Sequence, residues 1–325
     1  FMKIIIYHLR ILLGKSSILV GGQAVMEGVM MRVPGAYATA VRDPHGVIQV
    51  DRHNFKSLTE KYSILKKPLL RGIVGLFESL RIGISTLQWS AEIIEPKTEL
   101  KKDSKIGDIF ITIFSLFLAL GLFFVTPIGL TTWLFDKDQD AFMFNLISGF
   151  FRVTFFLIYL LLISLMKDVH RLFQYHGAEH KTVYNFESGK ELNIENAQLF
   201  PTQHPRCGTS FLFIIMIVAI FSFGILDAFV IHYIIKLNVW MRLLIHIPFI
   251  PIVAGIGYEV LKLTAKHRNN IIFKILAKPG LWLQNITTKQ PEDAQVEVAL
   301  KALEEAFGDD LEKFTGKIYV AEAIG

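Results

Sequence analysis

The sequence predicts a mainly α-helical integral membrane bundle. It has about four transmembrane helices, an amphipathic helix on the cytoplasmic side and a small N-terminal β element. Three observations carry this prediction. Hydrophobic residues make up 52% of the 325-residue chain, and Phe alone occurs 27 times. Charged residues are only 19%, against roughly 25% in a soluble globular chain. Four apolar runs, at about 106–134, 141–166, 211–235 and 240–263, each reach the roughly 20 residues that a helix needs to cross a bilayer.

Lys and Arg in the connections set the expected orientation. Lys97, Lys101, Lys102 and Lys105 precede the first run. Lys167, Arg171, Lys181, Lys190 and Arg206 lie between the second and third, and Lys262, Lys266, Arg268, Lys274 and Lys278 follow the fourth. The opposite side carries one Lys in "DKDQD", then Lys236 and Arg242. Both termini and the region between runs two and three are therefore expected in the cytoplasm, with the protein in a bacterial inner membrane. The net charge of +5 fits basic residues beside anionic lipid, and no nucleic-acid motif accompanies it. The single cysteine excludes an intramolecular disulfide and fits a reducing compartment. "KIIIYHLRILLGK" is short, contains Arg10 and lacks a small-residue cleavage site, so it is not read as a cleavable signal peptide.

The other elements follow in order. Residues 1–60 form an N-terminal segment, in which "YATAVRDPHGVIQVDRHNF" reads as two alternating strands around a Pro- and Gly-bearing turn. In the preceding "GGQAVMEGVMMR" the glycines serve packing or a turn, and Glu27 caps or pairs locally, or else reaches the same cavity as His176 and His180. Residues 61–105 hold the amphipathic helix and a basic linker. Leu69, Ile73, Leu76, Leu80, Ile84 and Leu87 recur at helical spacing, predicting a helix on the inner leaflet or packed under the bundle, with a shallow or re-entrant fifth membrane segment as the alternative. Residues 106–284 form the membrane domain, including a cytoplasmic His/Cys loop at 167–210. Residues 285–325 form a soluble tail, with a surface helix ending near Gly308.

The chemistry concentrates in the loop. In "FQYHGAEHKTVYN", His176 and His180 share one face of a helix drawn as an extension of the second span. With Glu179 they spell H-x-x-E-H, in which the Glu serves as general base on a water that zinc activates. "QHPRCGTS" adds His204 and Cys207, so three nitrogens and one thiolate suit zinc above magnesium or calcium. Four ligands close a tetrahedron and favour a structural site; an open position favours catalysis. Glu259, at the cytoplasmic end of the fourth span, is a ligand, base or orienting partner, or else pairs with Lys262 or Lys266. Arg152, Asp227, His232 and His246 mark either a polar path, as in a transporter, or interfacial and paired groups. His8, His45 and His53 are read as solvated.

"GGQAVMEGVMMR", "PLLRGIVGLFESL", "YHGAEHKTVYNFESG", "HPRCGTSFL", "AGIGYEV" and "PGLWLQNITTKQPEDAQVEVA" together resemble the bacterial YqhQ family, from about Gly21 to Phe307. The resemblance implies a multipass inner-membrane protein of unassigned activity, predicted to be metal-dependent. Two functions lead, with a metal or proton transporter as a third that would need a polar path from the site to Asp227 and His246. One is a membrane-associated zinc hydrolase acting on a peptide or lipid-linked substrate. The other is a non-enzymatic membrane-biogenesis factor, stapled by structural zinc and partnered by a translocon, insertase or ribosome.

Overall fold

The computed structural model describes residues 18–95, 105–135, 140–205, 207–266 and 270–319. The stretch containing His8 and Arg10, and the residues Lys97, Lys101, Lys102, Arg206 and Arg268 of the orientation argument, lie outside them.

Four strands make an antiparallel meander in the order β1 (Gly21–Val25), β2 (Gly28–Val33), β3 (Ala36–Arg42) and β4 (Ile48–Asn54). Two strands were expected here; the Gly- and Met-rich segment supplies two more. It shows no alternation because β2 is covered on both faces, and such strands read as continuous apolar runs. The β1–β2 turn places Glu27 at φ 50°, a conformation costing a non-glycine residue about 1–3 kcal/mol. Arg171 holds the carboxylate there, through Nε and through Nη2 at 2.6 Å, and the Tyr175 hydroxyl donates at 3.2 Å.

The long helices are α1 (Leu70–Ile94), α2 (Lys105–Leu120), α3 (Thr126–Leu134), α4 (Ala141–Ser164), α5 (Lys167–Glu187), α6 (Gly208–Tyr233), α7 (Val239–Lys266), α8 (Ile271–Thr287) and α9 (Asp293–Phe307). Four spans are long and apolar enough to cross a membrane: Phe110–Leu134, Ala141–Ser164, Gly208–Tyr233 and Val239–Thr264. The first is α2 and α3 joined through a π turn at Gly121–Val125. They turn large apolar side chains outward, such as Phe117 at 69% exposure and Leu244 at 78%. A water-soluble fold rarely presents such a surface.

Two charged groups inside the spans, Arg152 and Asp227, are paired. Arg152, midway along α4, donates from Nε to the Phe123 carbonyl at 3.1 Å. In an unbroken α-helix that carbonyl would accept from residue 127, which is a proline without an N–H. Asp227 is fully buried and accepts from Arg242 Nη1, from Asn145 Nδ2 at 2.8 Å, and pairs with His246 Nε2 at 2.8 Å. His246 stacks on Phe223 at 4.1 Å between ring centroids, and Arg242 lies 3.8 Å from the Phe144 centroid. The network ties α4, α6 and α7 together. His232 lies outside it, edge-on to Tyr233.

A second hydrophobic core lies apart from the spans and joins distant parts of the chain. Val29, Met31, Val33, Ala36, Ala38 and Ala40 of the sheet meet Tyr175, Ala178, Val183 and Phe186 of α5 and Val296, Ala299, Ala302, Leu303 and Phe307 of α9. Alanines on β3 and on α9 allow the helix to lie close on the strands. The C-terminal helix is thus interior rather than superficial; its apolar arc is widened by alanines that a count of large side chains passes over. α1 contacts β1 and β3 on the other face. There Gln23 Nε2 donates to the Gly83 carbonyl at 3.2 Å and to Thr86 Oγ1 at 2.9 Å, and Met26 N–H donates to Ser90 Oγ at 3.2 Å.

One helix boundary differs from expectation. The His-bearing helix does not extend α4: the chain breaks at Leu165–Met166, where Met166 is extended at ψ 134°. A straight continuation would leave Tyr175, Val183 and Phe186 without the sheet core that buries them. α8 forms through Pro279 and Gly280, which would ordinarily punctuate a helix. Its packing on α6 puts Gly280 directly against Ser210.

The buried pair yields a prediction. Asp227→Ala leaves the Arg242 charge inside the bundle, and should cost about 3–5 kcal/mol. Asp227→Ala combined with Arg242→Leu should recover most of that loss. Thermal unfolding of the detergent-solubilised single and double variants measures both.

Candidate metal centre

α5 supplies three of the candidate residues because spacings of three and four fall on one helical face. Its close approach to the segment after α8 depends on Gly177: a Cβ there would lie 2.0 Å from the Lys289 carbonyl oxygen. With hydrogen at that position, Lys289 N–H bonds to the Phe173 carbonyl at 2.9 Å, and His176 Nδ1 bonds to the Thr287 carbonyl at 2.8 Å. His180 Nδ1 bonds to the Thr202 carbonyl. Each imidazole donates through Nδ1 to a backbone carbonyl and so presents an Nε2 lone pair, the tautomer that carbonyl partners impose on ligating histidines.

Cys207 caps α6, with its Sγ accepting from Thr209 N–H at 3.5 Å. It lies 3.2 Å from His176 Nε2. The donor atoms of His176, His180 and Cys207 lie within 4.8 Å of one another, a group that could hold a metal ion. Glu179 stands beside it, with Oε2 3.4 Å from His180 Nε2. The cavity among these residues measures about 60 Å³ and is also lined by Val20, Gly21, Gly22, Val183, His204 and Gly208. Gly22 and Gln23 point to opposite faces of β1, as successive strand residues do. Gln23 faces α1, while Gly22 faces Glu179, whose Cγ would lie 3.1 Å from any Cβ added there.

His204 lines the cavity but lies beside the three-donor group. Its Nε2 is 3.7 Å from Glu187 Oε2, and its ring lies 4.4 Å from that of Tyr184. Its backbone is held from both sides by Gln284: His204 N–H donates to Oε1 at 2.7 Å, and Nε2 donates to the His204 carbonyl at 2.9 Å. Glu259 is elsewhere. It pairs with Arg71, Nε to Oε1 at 2.8 Å, and takes the Leu69 N–H at 3.3 Å, so it locks α1 to α7.

Gly22, Gly177, Thr202, Gln284 and Thr287 shape the site without appearing in any ligand pattern. The packing role read for the glycines of "GGQAVMEGVMMR" covers Gly22, and the glycine between the two histidines is a second visible sign of a close approach; the carbonyl partners depend on tertiary structure and had none.

Burial pushes the pKa values of His176, His180 and His204 below the ordinary 6.5, with nearby Glu179 opposing the shift at His176 and His204. The rings are therefore neutral at pH 7, as metal ligation requires.

The fold and site together define a class: a helical protein with four apolar spans and, beside them, an α/β unit holding a His/His/Cys group fit for a metal. The chain belongs to the family described as "Protein of unknown function (DUF1385)", whose model matches residues 67–309. It is similar to "Uncharacterized protein YqhQ" of Bacillus subtilis (strain 168), 34% identical over 312 residues, which cover 88% of this chain and 91% of that one. The YqhQ-family resemblance read from the sequence blocks is thereby established. No solved structure matches the chain.

Two predictions follow from this geometry. Lowered histidine pKa values mean that the unfolded chain binds more protons than the folded one just below pH 6.5. The stabilisation from neutral histidines is complete above 6.5 and is lost as pH falls toward the lowered folded values. The thermal midpoint of metal-free protein should drop over that window, with a shallower slope in His180→Ala. Gly177→Ala should weaken binding of an added divalent transition metal by about 10–100-fold, the usual cost of displacing a ligand's hydrogen-bond partner. Competition with a chromogenic chelator reads this directly.

Proposed function

We propose that the protein is a zinc-dependent hydrolase working at the cytoplasmic face of a bacterial inner membrane, on a peptide or lipid-linked substrate. The observation that carries this reading is the Glu179 carboxylate standing 3.4 Å from Nε2 of His180, beside a group of three donors rather than four. Two imidazoles and one thiolate suit zinc above oxygen-seeking magnesium or calcium. Zinc at three protein ligands supplies Lewis acidity to a water in its remaining position. His176 and His180 are held in the ligating tautomer by Thr287 and Thr202, and Cys207 supplies the sulfur. Glu179, shielded from solvent against Gly22, accepts the proton as general base.

A second reading, a membrane-biogenesis factor with a structural zinc, draws on the size of the cavity. About 60 Å³ accommodates an ion and a water, but a substrate needs the β1 wall to move. In this reading zinc on His176, His180, His204 and Cys207 staples the loop between the second and third spans, joining α5 to the segment that leads into α6, and the basic face docks a translocon, insertase or ribosome.

X-ray absorption of the purified, zinc-loaded protein separates the two readings. The hydrolase requires one sulfur, two nitrogens and an oxygen around the metal, and the structural site requires one sulfur and three nitrogens, with His204 recruited. Glu179→Gln should keep the zinc and lower cleavage of a membrane-anchored fluorogenic peptide or ester panel by about 10²–10⁴-fold. Full retention of cleavage in that variant would remove Glu179 as the base, and absence of bound metal in the parent protein would remove both readings.

A further inference from the structure

α1 presents three distinct stripes. Its protein face holds Gly72, Ile82, Thr86 and Ser90, all buried. A second stripe carries Phe77, Leu80, Ile84 and Leu87, exposed by 57%, 51%, 56% and 43%. The third carries Arg81, Ser85, Gln88 and Glu92, also exposed. Spacings of three and four keep each stripe on one line of the helix, so the exposed surface is itself divided into an apolar and a polar half. A helix facing only water has no use for that division, whereas a helix in the plane of a lipid headgroup layer needs it.

The position of α1 fits that plane. Its first turn is fixed to the last turns of the α7 span, where Gly72 lies against Tyr258 and Gly255 and Arg71 pairs with Glu259. The chain leading into it exposes Leu58, Tyr62 and Ile64 at 46%, 49% and 59%, interleaved with exposed Lys61, Lys66 and Lys67. α8 repeats the arrangement at the same end of the spans. Gly280 rests on Ser210 near the start of α6, while Ile271, Ile275 and Trp282 are exposed by 68%, 58% and 56%. Tryptophan and snorkelling lysine are the side chains that favour a membrane–water boundary.

We infer that α1 and α8 are interfacial helices, and that their apolar stripes, with Lys61, Lys66 and Lys67 beside them, seat on an anionic lipid surface. The inference rests on the reading that the four spans cross a bilayer. The surface continues the apolar belt of the spans, and its basic border complements anionic headgroups.

The test uses the full chain in nanodiscs of phosphatidylcholine and phosphatidylglycerol, with and without acyl chains brominated near the headgroup. Leu80→Trp and Ser85→Trp place a reporter on the apolar and polar stripes, each read as emission added to the parent's four tryptophans. Brominated lipid should abolish the emission added at 80 and spare that added at 85; aqueous iodide should do the reverse. Leu87→Trp and Glu92→Trp repeat the comparison if the first pair folds poorly. Quenching equal at both positions overturns the inference. So does emission at 80 that responds only to iodide, or to neither quencher because a second copy or another protein covers the stripe. If the parent's Trp133, 80% exposed at the end of its span, escapes bromine quenching, the bilayer reading itself fails. If Trp133 is quenched and the reporter at 80 is not, only the interfacial inference fails.

Discussion

The packing of α9 across β2 and β3 is the contact on which the rest of the α/β unit depends. A sheet that is hydrophobic on one face must bury that face against another element. α9 covers that face together with α5, and in doing so fixes where α5 lies. The position of α5 then decides which of its side chains meet the segment before α6 and the end of α8. The three-donor group is thus a product of core packing. His176 and His180 are placed by Tyr175, Ala178, Val183 and Phe186, which sit in the core on the flank of the same helix.

Around the donors, the backbone does the orienting. Thr287 and Thr202 contribute carbonyl oxygens, so their side-chain identity matters less than the path of the chain through them. Gln284 holds the backbone of His204 by an amide-to-peptide pair, which keeps the chain at His204 in register with α8. Lys181, buried next to His180, spends its ammonium on the carbonyls of Gln198 and Phe200, where a short helix ends. The site therefore has a rigid floor on α5 and a wall of extended chain at β1, whose Gly21 and Gly22 carry no side chains into the cavity.

Legibility in the sequence followed the range of the interactions concerned. The four spans were plain because each is a local composition signal, and their observed ends fall within a few residues of the apolar runs. The H-x-x-E-H face was plain for the same reason, being fixed by helical spacing alone. β2 was hidden because covering both faces erases alternation, β1 because its five residues GGQAV are short and glycine-rich, and α9 looked superficial because its contact surface is built from alanines. The bend at Leu165–Met166 could not be read: neither residue is a helix breaker, and the turn is imposed by where the core lies. Glu259 had a nearby Lys262 as its expected partner in sequence, but Arg71 reached it from a helix far upstream. His204 and Cys207, three residues apart, looked like one half-site, yet only the cysteine lies in the three-donor group.

The order of synthesis gives the α/β unit an unusual history. The sheet is made first, yet the helix that covers it is made almost last, after all four apolar spans. Until residues 293–307 leave the ribosome, the face carrying Val29, Met31, Ala38 and Ala40 has no α9 to rest on, and Thr287 is not yet in place to orient His176. Loop closure over so long a separation is slow, and unpaired apolar faces are the surfaces on which nascent chains associate wrongly. The metal pocket is accordingly among the last features to form. A chain that stops short of α9 keeps its membrane spans but loses the architecture that gives the histidines a common target.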